Sequence, residues 1–478
     1  MLQQIKLSTK HQSPLMKKFY NREIQLNKLR DRSSNIVASK GRLSVVVGRR
    51  RVGKTRLLNE AFSVDSVDKN NYLYLFISRK SEAALVDEFV TIIKNKIEAK
   101  FFQPKCLKDI FEYLFHYATT QPLTLVVDEF QDIEKVNSSL FSDLQNLWDS
   151  YKNTTMMHFV CCGSLYSLMT KIFKGDKQPL LNRDDYFFKI QPLSPSFIKQ
   201  VMVDQNSYSA EKLLVWWCLS GGIPKYLEWL VNIPNANGCI EGDNANVETI
   251  FGHLISNGSP LIKEGVHRLV EDFGSEHRSY FDVLGAIANG YTSRARIESY
   301  LNIGIGTILQ NLESDFDIIA KMRPISSKET SRDVRYKIVG PFLRFWFRFI
   351  YSNRSAIEME NFEYIKKVIK RDFDTFSGLE LEALCEAILI ESKQFNRIGS
   401  YWDNKGENEI DIVAINDLDK RLLIVEVKRQ SKRYEHNKLV IKSVGLLAKL
   451  KLKNYRVEYQ CFSLDKLDEV LNSLSPNL

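Results

Sequence analysis

Four short β-branched runs, helical patterns between them and a later pair of charged, strand-like runs predict an α/β fold with more than one domain. The early runs are Leu43–Val47, Tyr72–Ile77, Leu123–Val127 and His158–Cys162. They are apolar along most of their length, as strands covered on both faces are. A parallel sheet between helical layers is therefore expected. Helix spacing lies between the runs at Glu82–Ala99 and Ser138–Tyr151, and ahead of the first at Phe19–Arg30. The length of 478 residues suits roughly two to four domains.

Composition narrows the class. Hydrophobic residues at 44% and charged residues at 26% sit near globular averages, which excludes wholesale disorder. No apolar run approaches the roughly 18–20 residues that span a bilayer. The densest, Phe342–Tyr351, is broken by Arg344 and Arg348. Met1–Lys10 is polar and lacks the apolar core of a secretory signal. The seven cysteines show no paired spacing. Cys161 and Cys162, adjacent in an apolar run, read as buried small hydrophobes instead of a metal site. A cytoplasmic chain with reduced thiols and no membrane partner is expected.

After about residue 195 the strand signals stop. Residues 195–270 read as helical, with a breaker at Ser220-Gly-Gly-Ile-Pro224. Residues 278–340 give helices near Ser279–Ala288, Ser293–Tyr300 and Gly306–Glu313, with turns at Gly290 and Gly304. A hairpin of Ile318–Met322 and Arg335–Val339 follows, completing the outline of a winged helix-turn-helix. Its third helix contains no Lys or Arg, and only Gln310 and Asn311 suit base edges. A packing role is expected for it, with Arg332 and Arg335 beside the wing turn as the candidates for DNA contact.

The sharpest motif is Gly48-Arg-Arg-Arg-Val52-Gly53-Lys54-Thr55, a complete G-x-x-x-x-G-K-[ST] between a strand and the helix Arg56–Phe62. Glycines let backbone N–H groups curl around phosphate oxygens, and the helix N-terminus adds the positive end of its dipole. The nucleotide would touch Gly48, Val52, Gly53, Lys54, Thr55 and Arg56. Lys54 reaches the β- and γ-phosphates, and Thr55 is a Mg²⁺ ligand. These residues predict a P-loop NTPase with ATP and Mg²⁺ as cofactors. Asp128 and Glu129 end the third run, at the strand edge where ligands of open α/β sheets bind. Asp128 is placed as the second Mg²⁺ residue and Glu129 as the group that polarises attacking water. Ser164 ends the fourth run and is a candidate sensor of the γ-phosphate. Arg183 is a candidate sensor or finger arginine, within the chain or across a subunit interface of a homo-oligomer, or else a surface arginine.

With these landmarks the chain resembles the archaeal-type, or DEXX-box, P-loop ATPases of the AAA+/STAND group. The resemblance rests on Phe19-Tyr-Asn-Arg22-Glu23, Gly48–Thr55, Asp128-Glu129-Phe-Gln131 and Gly221-Gly222-Ile-Pro224-Lys-Tyr226. It implies that Arg22 lies near the nucleotide base and that Pro224 belongs to a nucleotide-sensing Gly-x-Pro element. It also implies a winged helix and a C-terminal domain of nuclease-like type. The expected division is a P-loop ATPase core at 1–195, a helical lid at 196–270, a winged helix at 271–358 and a nuclease-like α/β domain at 359–478.

In that last region Asp411 lies in the alternating run Glu409–Ile415, and Glu426 and Lys428 end the run Leu422–Lys428. Strand positions two apart share a face, so Glu426 and Lys428 project together, and a hairpin brings Asp411 beside them. Glu382 lies upstream on a predicted helix. The set resembles a PD-(D/E)XK, restriction-endonuclease-like core. That resemblance implies Asp411 and Glu426 as metal ligands with Glu382 and Lys428 as their partners. Such a domain either cleaves DNA or serves as an inert binding module, and both readings stand. Net charge is +9, from 67 basic and 58 acidic residues. Ten Lys or Arg against Glu435 alone between Lys428 and Arg456 place part of that surplus where a DNA backbone would pass.

Overall fold

The computed structural model describes residues 19–34, 40–62, 71–97, 99, 102–233, 247–273, 277–403 and 406–474. Met1–Lys10, read above as polar, lies outside them. The chain divides into two compact units. One comprises residues 21–191 with 314–317, and the other residues 19–20, 192–313 and 318–474.

The first unit is a five-stranded sheet of β1 (Arg42–Val47), β2 (Tyr72–Phe76), β3 (Leu123–Asp128), β4 (Met157–Gly163) and β5 (Tyr186–Lys189). All neighbours are parallel, in the order β2-β3-β4-β1-β5. From Leu43 to Val47 every residue of β1 is buried, as is the whole of β3 and β4. On one face the odd-numbered apolar side chains form a core with helices Glu82–Lys94, Leu107–Tyr117 and Leu140–Tyr151, and on the other Phe62 of helix Lys54–Phe62 meets Tyr72 and His158. The expected four strands are present. β5, the short run Tyr-Phe-Phe-Lys, is a fifth strand beyond the four runs read from the sequence.

Register fixes what shares an edge. Val47 lies opposite Gly163, and Val127 opposite Cys161. The carboxyl ends of β1, β3 and β4 therefore coincide, and the loops after them open at one edge of the sheet.

The second unit begins with helices Pro195–Asp204, Ala210–Ser220 and Pro224–Val231. The turn between the last two needs glycine. Gly222 has φ of +76°, and a Cβ there would stand 1.9 Å from the carbonyl oxygen of Leu193, whose N–H donates to the Gly222 carbonyl at 2.7 Å. Helices His277–Ala288, Arg294–Leu301 and Gly306–Ser314 follow, then an antiparallel ribbon of β6 (Ile319–Met322) and β7 (Arg335–Ile338). The dense apolar run Phe342–Tyr351 is core. It forms helix Pro341–Phe345 and the π turn Trp346–Ile350, with Phe342, Phe345, Trp346 and Phe347 buried.

A 31-residue helix, Phe362–Ser392, leads into a four-stranded sheet. Its strands are β8 (Arg397–Trp402), β9 (Glu409–Asn416), β10 (Arg421–Lys428) and β11 (Arg456–Ser463), in the order β11-β10-β9-β8. β8–β9 and β9–β10 are antiparallel and β10–β11 parallel, with helix His436–Leu450 as the crossover. Leu439 and Leu446 of that helix pack on Val413, Ile415, Leu422 and Ile424. No helix among the described residues is long and apolar enough to cross a membrane.

Candidate functional sites

At the carboxyl edge of the first sheet, Gly48–Gly53 turns the chain from β1 into helix Lys54–Phe62. Gly53 adopts φ of +96°, and Arg51 is also left-handed at +67°. Lys54 is buried, and its ammonium donates to the carbonyls of Gly48 at 2.7 Å and Arg49 at 3.3 Å. The P-loop thus satisfies its lysine with its own backbone, while Thr55 is exposed at the helix start. Arg49 is turned toward Asp317, with an ion pair at 3.7 Å, so its charge is not directed at the phosphates alone.

Asp128 ends β3 and is buried. One of its carboxylate oxygens accepts from the backbone N–H of Glu129 at 2.8 Å and the other from the hydroxyl of Tyr74. Burial and the Asp128 charge push the Tyr74 phenol far above its ordinary value, so it stays a donor. Cys162 lies on the same carboxylate, and burial followed by Asp128 raises its thiol strongly. Both vicinal cysteines are buried small hydrophobes, as expected.

Glu129 sits in a left-handed turn at φ of 52°. Its carboxylate accepts from Ser164 Oγ at 2.7 Å and from Gln131 Nε2 at 2.5 Å. Gln131 also reaches Ser164 at 3.4 Å, and its Oε1 is buried without a hydrogen-bond donor. Ser164, Glu129 and Gln131 therefore form one cluster at the phosphate edge. Tyr74 and the roles of Gln131 are additions that sequence reasoning missed. Gln131 stands two residues past Glu129 and was visible as a landmark, whereas nothing in the sequence marks Tyr74. The donor set suits Mg²⁺ and a nucleotide: Thr55 and Asp128 supply hard oxygens, Lys54 an ammonium, and the helix start its N–H groups.

Arg22 is brought to this edge. Ile190 pairs with Val47, and the guanidinium of Arg22 donates to the carbonyl of the next residue, Gln191. Burial, opposed by Glu23, lowers its pKa to about 10. Arg183 is not brought there. Asp185 hydrogen-bonds Leu43 at the start of β1, so Arg183 lies at the opposite edge of the sheet, held by Asp149 at 2.7 Å. Pro224 opens helix Pro224–Val231 in the other unit.

Comparison with known proteins agrees with this geometry. Residues 19–230 match the model of an ATPase domain predominantly from Archaea. Over that region the chain is similar to archaeal ATPase domains of the P-loop type. Residues 346–439 match a second model, of archaeal and bacterial proteins of unknown function. The uncharacterized protein MJECL04 of Methanocaldococcus jannaschii is 27% identical over 419 residues, covering 86% of this chain and 87% of that protein. Among solved structures, the Walker-type ATPase PABY2304 of Pyrococcus abyssi superposes with a TM-score of 0.50 at 20% identity, over 69% of this chain and 96% of its own. The ORC2 protein of Aeropyrum pernix, in ADPNP–ADP complexes, gives 0.49 at 12% identity over 73% and 97%.

The second unit carries the other predicted set. Asp411 accepts from the N–H of Val427 at 2.7 Å, so β9 and β10 bring it beside Glu426 and Lys428. Glu426 pairs with Lys428 at 2.7 Å and with Lys442 at 3.3 Å. Burial pulls the Glu426 carboxyl up, but the two ammonium groups outweigh it and hold it below its ordinary value. Asp411 moves the other way, raised by burial against the Val427 N–H and Lys428. Burial first, and Asp411 second, push Glu382 up to about 8. All four predicted residues thus fall in one electrostatic cluster. Among the described residues, no group of three or more His, Cys, Asp or Glu is disposed to hold a metal ion.

Two residues weighed above for nucleic-acid contact have partners within the second unit. Asn311 donates to the hydroxyl of Tyr280 at 2.9 Å, so it points into the helix bundle. Arg335 pairs with Glu409, and its guanidinium lies 4.3 Å from the ring centroid of Trp402.

Proposed function

We propose that this chain binds Mg²⁺·ATP at Gly48–Arg56, hydrolyses it with Glu129, and uses the nucleotide state to control a C-terminal DNA-binding domain of PD-(D/E)XK nuclease type. The cluster of Glu129, Ser164 and Gln131 at the strand edge beside the P-loop carries the ATPase part. Lys54 exchanges its two carbonyl partners for phosphate oxygens, and the helix start adds N–H donors. Glu129 is held by Ser164 and Gln131 where it can take a proton from a water aimed at the γ-phosphate. Mg²⁺, held by Thr55 and through Asp128, supplies charge neutralisation between the phosphates.

The C-terminal part rests on the helix-strand-strand-strand-helix-strand order and on Asp411, Glu426, Lys428 and Glu382 meeting in one cluster. Here residues 278–340 serve as a winged helix that packs and relays, and the chain divides near 195, 270 and 358. Arg22 contacts the base side and Pro224 senses the nucleotide. An arginine finger at Arg183 would have to act across a subunit interface. A second reading has one observation in its favour. Glu426 is engaged by two lysines, as it would be in an inert domain whose carboxylates are structural, and the chain is then a nucleotide-switched regulator.

The experiment is ATP turnover and plasmid cleavage by the purified chain. Lys54→Ala should abolish ATP binding, and Glu129→Gln should retain binding while slowing hydrolysis. Absence of nucleotide affinity in the presence of Mg²⁺ would refute the ATPase reading. Cleavage with Mg²⁺ or Mn²⁺ that is lost in both Asp411→Ala and Glu426→Ala would exclude the inert domain.

A further inference from the structure

A cavity of about 490 Å³ lies inside the second unit, and the ribbon strand β7 forms one of its walls. Glu382 and Asp411 line the same space. Its size is that of a small-molecule pocket, for which about 300–1,000 Å³ is usual. A DNA duplex, whose major groove alone is about 12 Å wide, cannot enter it. While the ribbon stays where it is, a duplex meets the ribbon before it meets those two carboxylates.

The ribbon is fastened unequally. At the end of β7 the Ile338 carbonyl accepts from Arg344 at 2.6 Å, and Arg344 is paired with Glu380 of the long helix. That pair is buried, so breaking it strands a charge, and this end is fixed. The other end, the ribbon turn at 323–334 with Arg335, lies along β8. The N–H of Ile325 donates to the Ser400 carbonyl at 2.9 Å. Trp402 Nε1 donates to the Asp333 carboxylate at 3.1 Å. Arg335 pairs with Glu409 and covers the Trp402 ring. The Arg335 and Glu409 side chains are 34% and 50% exposed, and ion pairs that wet hold weakly. Arg335, Ser400, Trp402 and Glu409 all line the cavity. A lightly held turn is thus clasped across it, hung from a firmly held base.

We propose that this ribbon turn is a latch. Clasped on β8 it closes the C-terminal domain to duplex DNA, and its release opens the wall that carries Glu382 and Asp411. The inference rests on the DNA-binding reading of that domain and adds how access to it is governed. It gives Arg335 a role without direct DNA contact: the guanidinium holds the latch shut.

The test locks and frees the latch. A Cβ at Gly399 would stand 3.6 Å from the Ile325 Cβ, within the roughly 3.5–4.5 Å that a disulfide bridges. The double variant Ile325→Cys with Gly399→Cys therefore staples the turn to β8 when oxidised and frees it with dithiothreitol. Binding of a fluorescent duplex oligonucleotide to the full chain is followed by anisotropy, with Ca²⁺ present and ADP saturating the P-loop. A latch that leaves the open form at about a tenth of the population lowers the apparent affinity about tenfold. Arg335→Ala should accordingly bind the duplex up to about tenfold tighter than wild type, a gain that loss of a merely structural contact would not give. The oxidised double variant should bind at least about tenfold more weakly than the same protein reduced. Wild type oxidised in the same way controls for the native cysteines and should be unchanged. Equal duplex affinity of the oxidised and reduced double variant would overturn the latch and leave the domain reading intact. Duplex bound by neither Arg335→Ala nor the reduced double variant would overturn the domain reading, and the latch with it.

Discussion

The hydroxyl of Ser164 donates to the carboxylate of Glu129 at 2.7 Å, joining the end of β4 to the turn after β3. Since β4 lies between β3 and β1 in the sheet, Ser164 stands between Glu129 and the P-loop strand. The proposed function gives a residue in that place two tasks, contact with the γ-phosphate and orientation of the base. Ser164→Ala should leave nucleotide affinity within about twofold and slow hydrolysis about tenfold. Glu129→Gln should slow it by about 10² or more, the scale of a lost general base. Fluorescent-nucleotide titration beside steady-state turnover separates the two effects. A Ser164→Ala enzyme with full turnover would leave Ser164 as a strand-end cap.

Gly222 offers a sharper structural test. Its left-handed backbone and the 1.9 Å approach to the Leu193 carbonyl leave no room for a side chain. Gly222→Ala should destabilise the second unit by at least about 3 kcal/mol, combining backbone strain with loss of the Leu193 hydrogen bond. Thermal unfolding of the purified variant reads this directly.

The ion pair of Arg344 with Glu380 is buried, with side-chain exposures of 14% and 2%, and Arg344 also donates to the Ile338 carbonyl at 2.6 Å. Removing one partner strands a charge. Arg344→Met alone should cost about 3–5 kcal/mol, whereas Arg344→Met with Glu380→Leu should recover much of that loss. Denaturant unfolding of both single variants and the double variant measures the coupling.

The nucleotide site was legible in the sequence because its chemistry needs consecutive residues. A phosphate cradle is one turn, so Gly48–Thr55 and Asp128-Glu129 announce themselves. The charged hairpin of β9 and β10 was legible through its alternation. β8 and β11 were not. Arg397–Trp402 mixes glycine and serine with aromatics, and Arg456–Ser463 begins inside a basic run, so neither shows a clean apolar face. β5 is four half-exposed residues, too short to signal as more than an apolar stretch. Tyr74 was illegible for a different reason. Its partner Asp128 is remote in the chain, and only the pairing of β2 with β3 brings the two together.

Arg183 separates a structural from a functional reading most directly. Its guanidinium holds Asp149 at 2.7 Å at the sheet edge away from the P-loop. The pair is partly exposed, so Arg183→Ala should cost only about 0.2–1 kcal/mol. The hydrogen bond from Arg183, opposed by burial, holds the Asp149 carboxyl below its ordinary value of 3.8. A depressed carboxylate stabilises the fold at pH above its unfolded value, and that contribution disappears as pH falls through the folded one. The stability gap between wild type and Arg183→Ala should therefore be constant from neutral pH down to about 4 and close in stronger acid. ATP turnover of the monomer should change by less than about twofold, because the residue stands at the wrong edge to touch the nucleotide in its own chain. A turnover defect that grows with protein concentration would instead identify Arg183 as a group reaching into the site of a neighbouring subunit. Measuring turnover over a hundredfold range of protein concentration, beside the pH series, distinguishes the two.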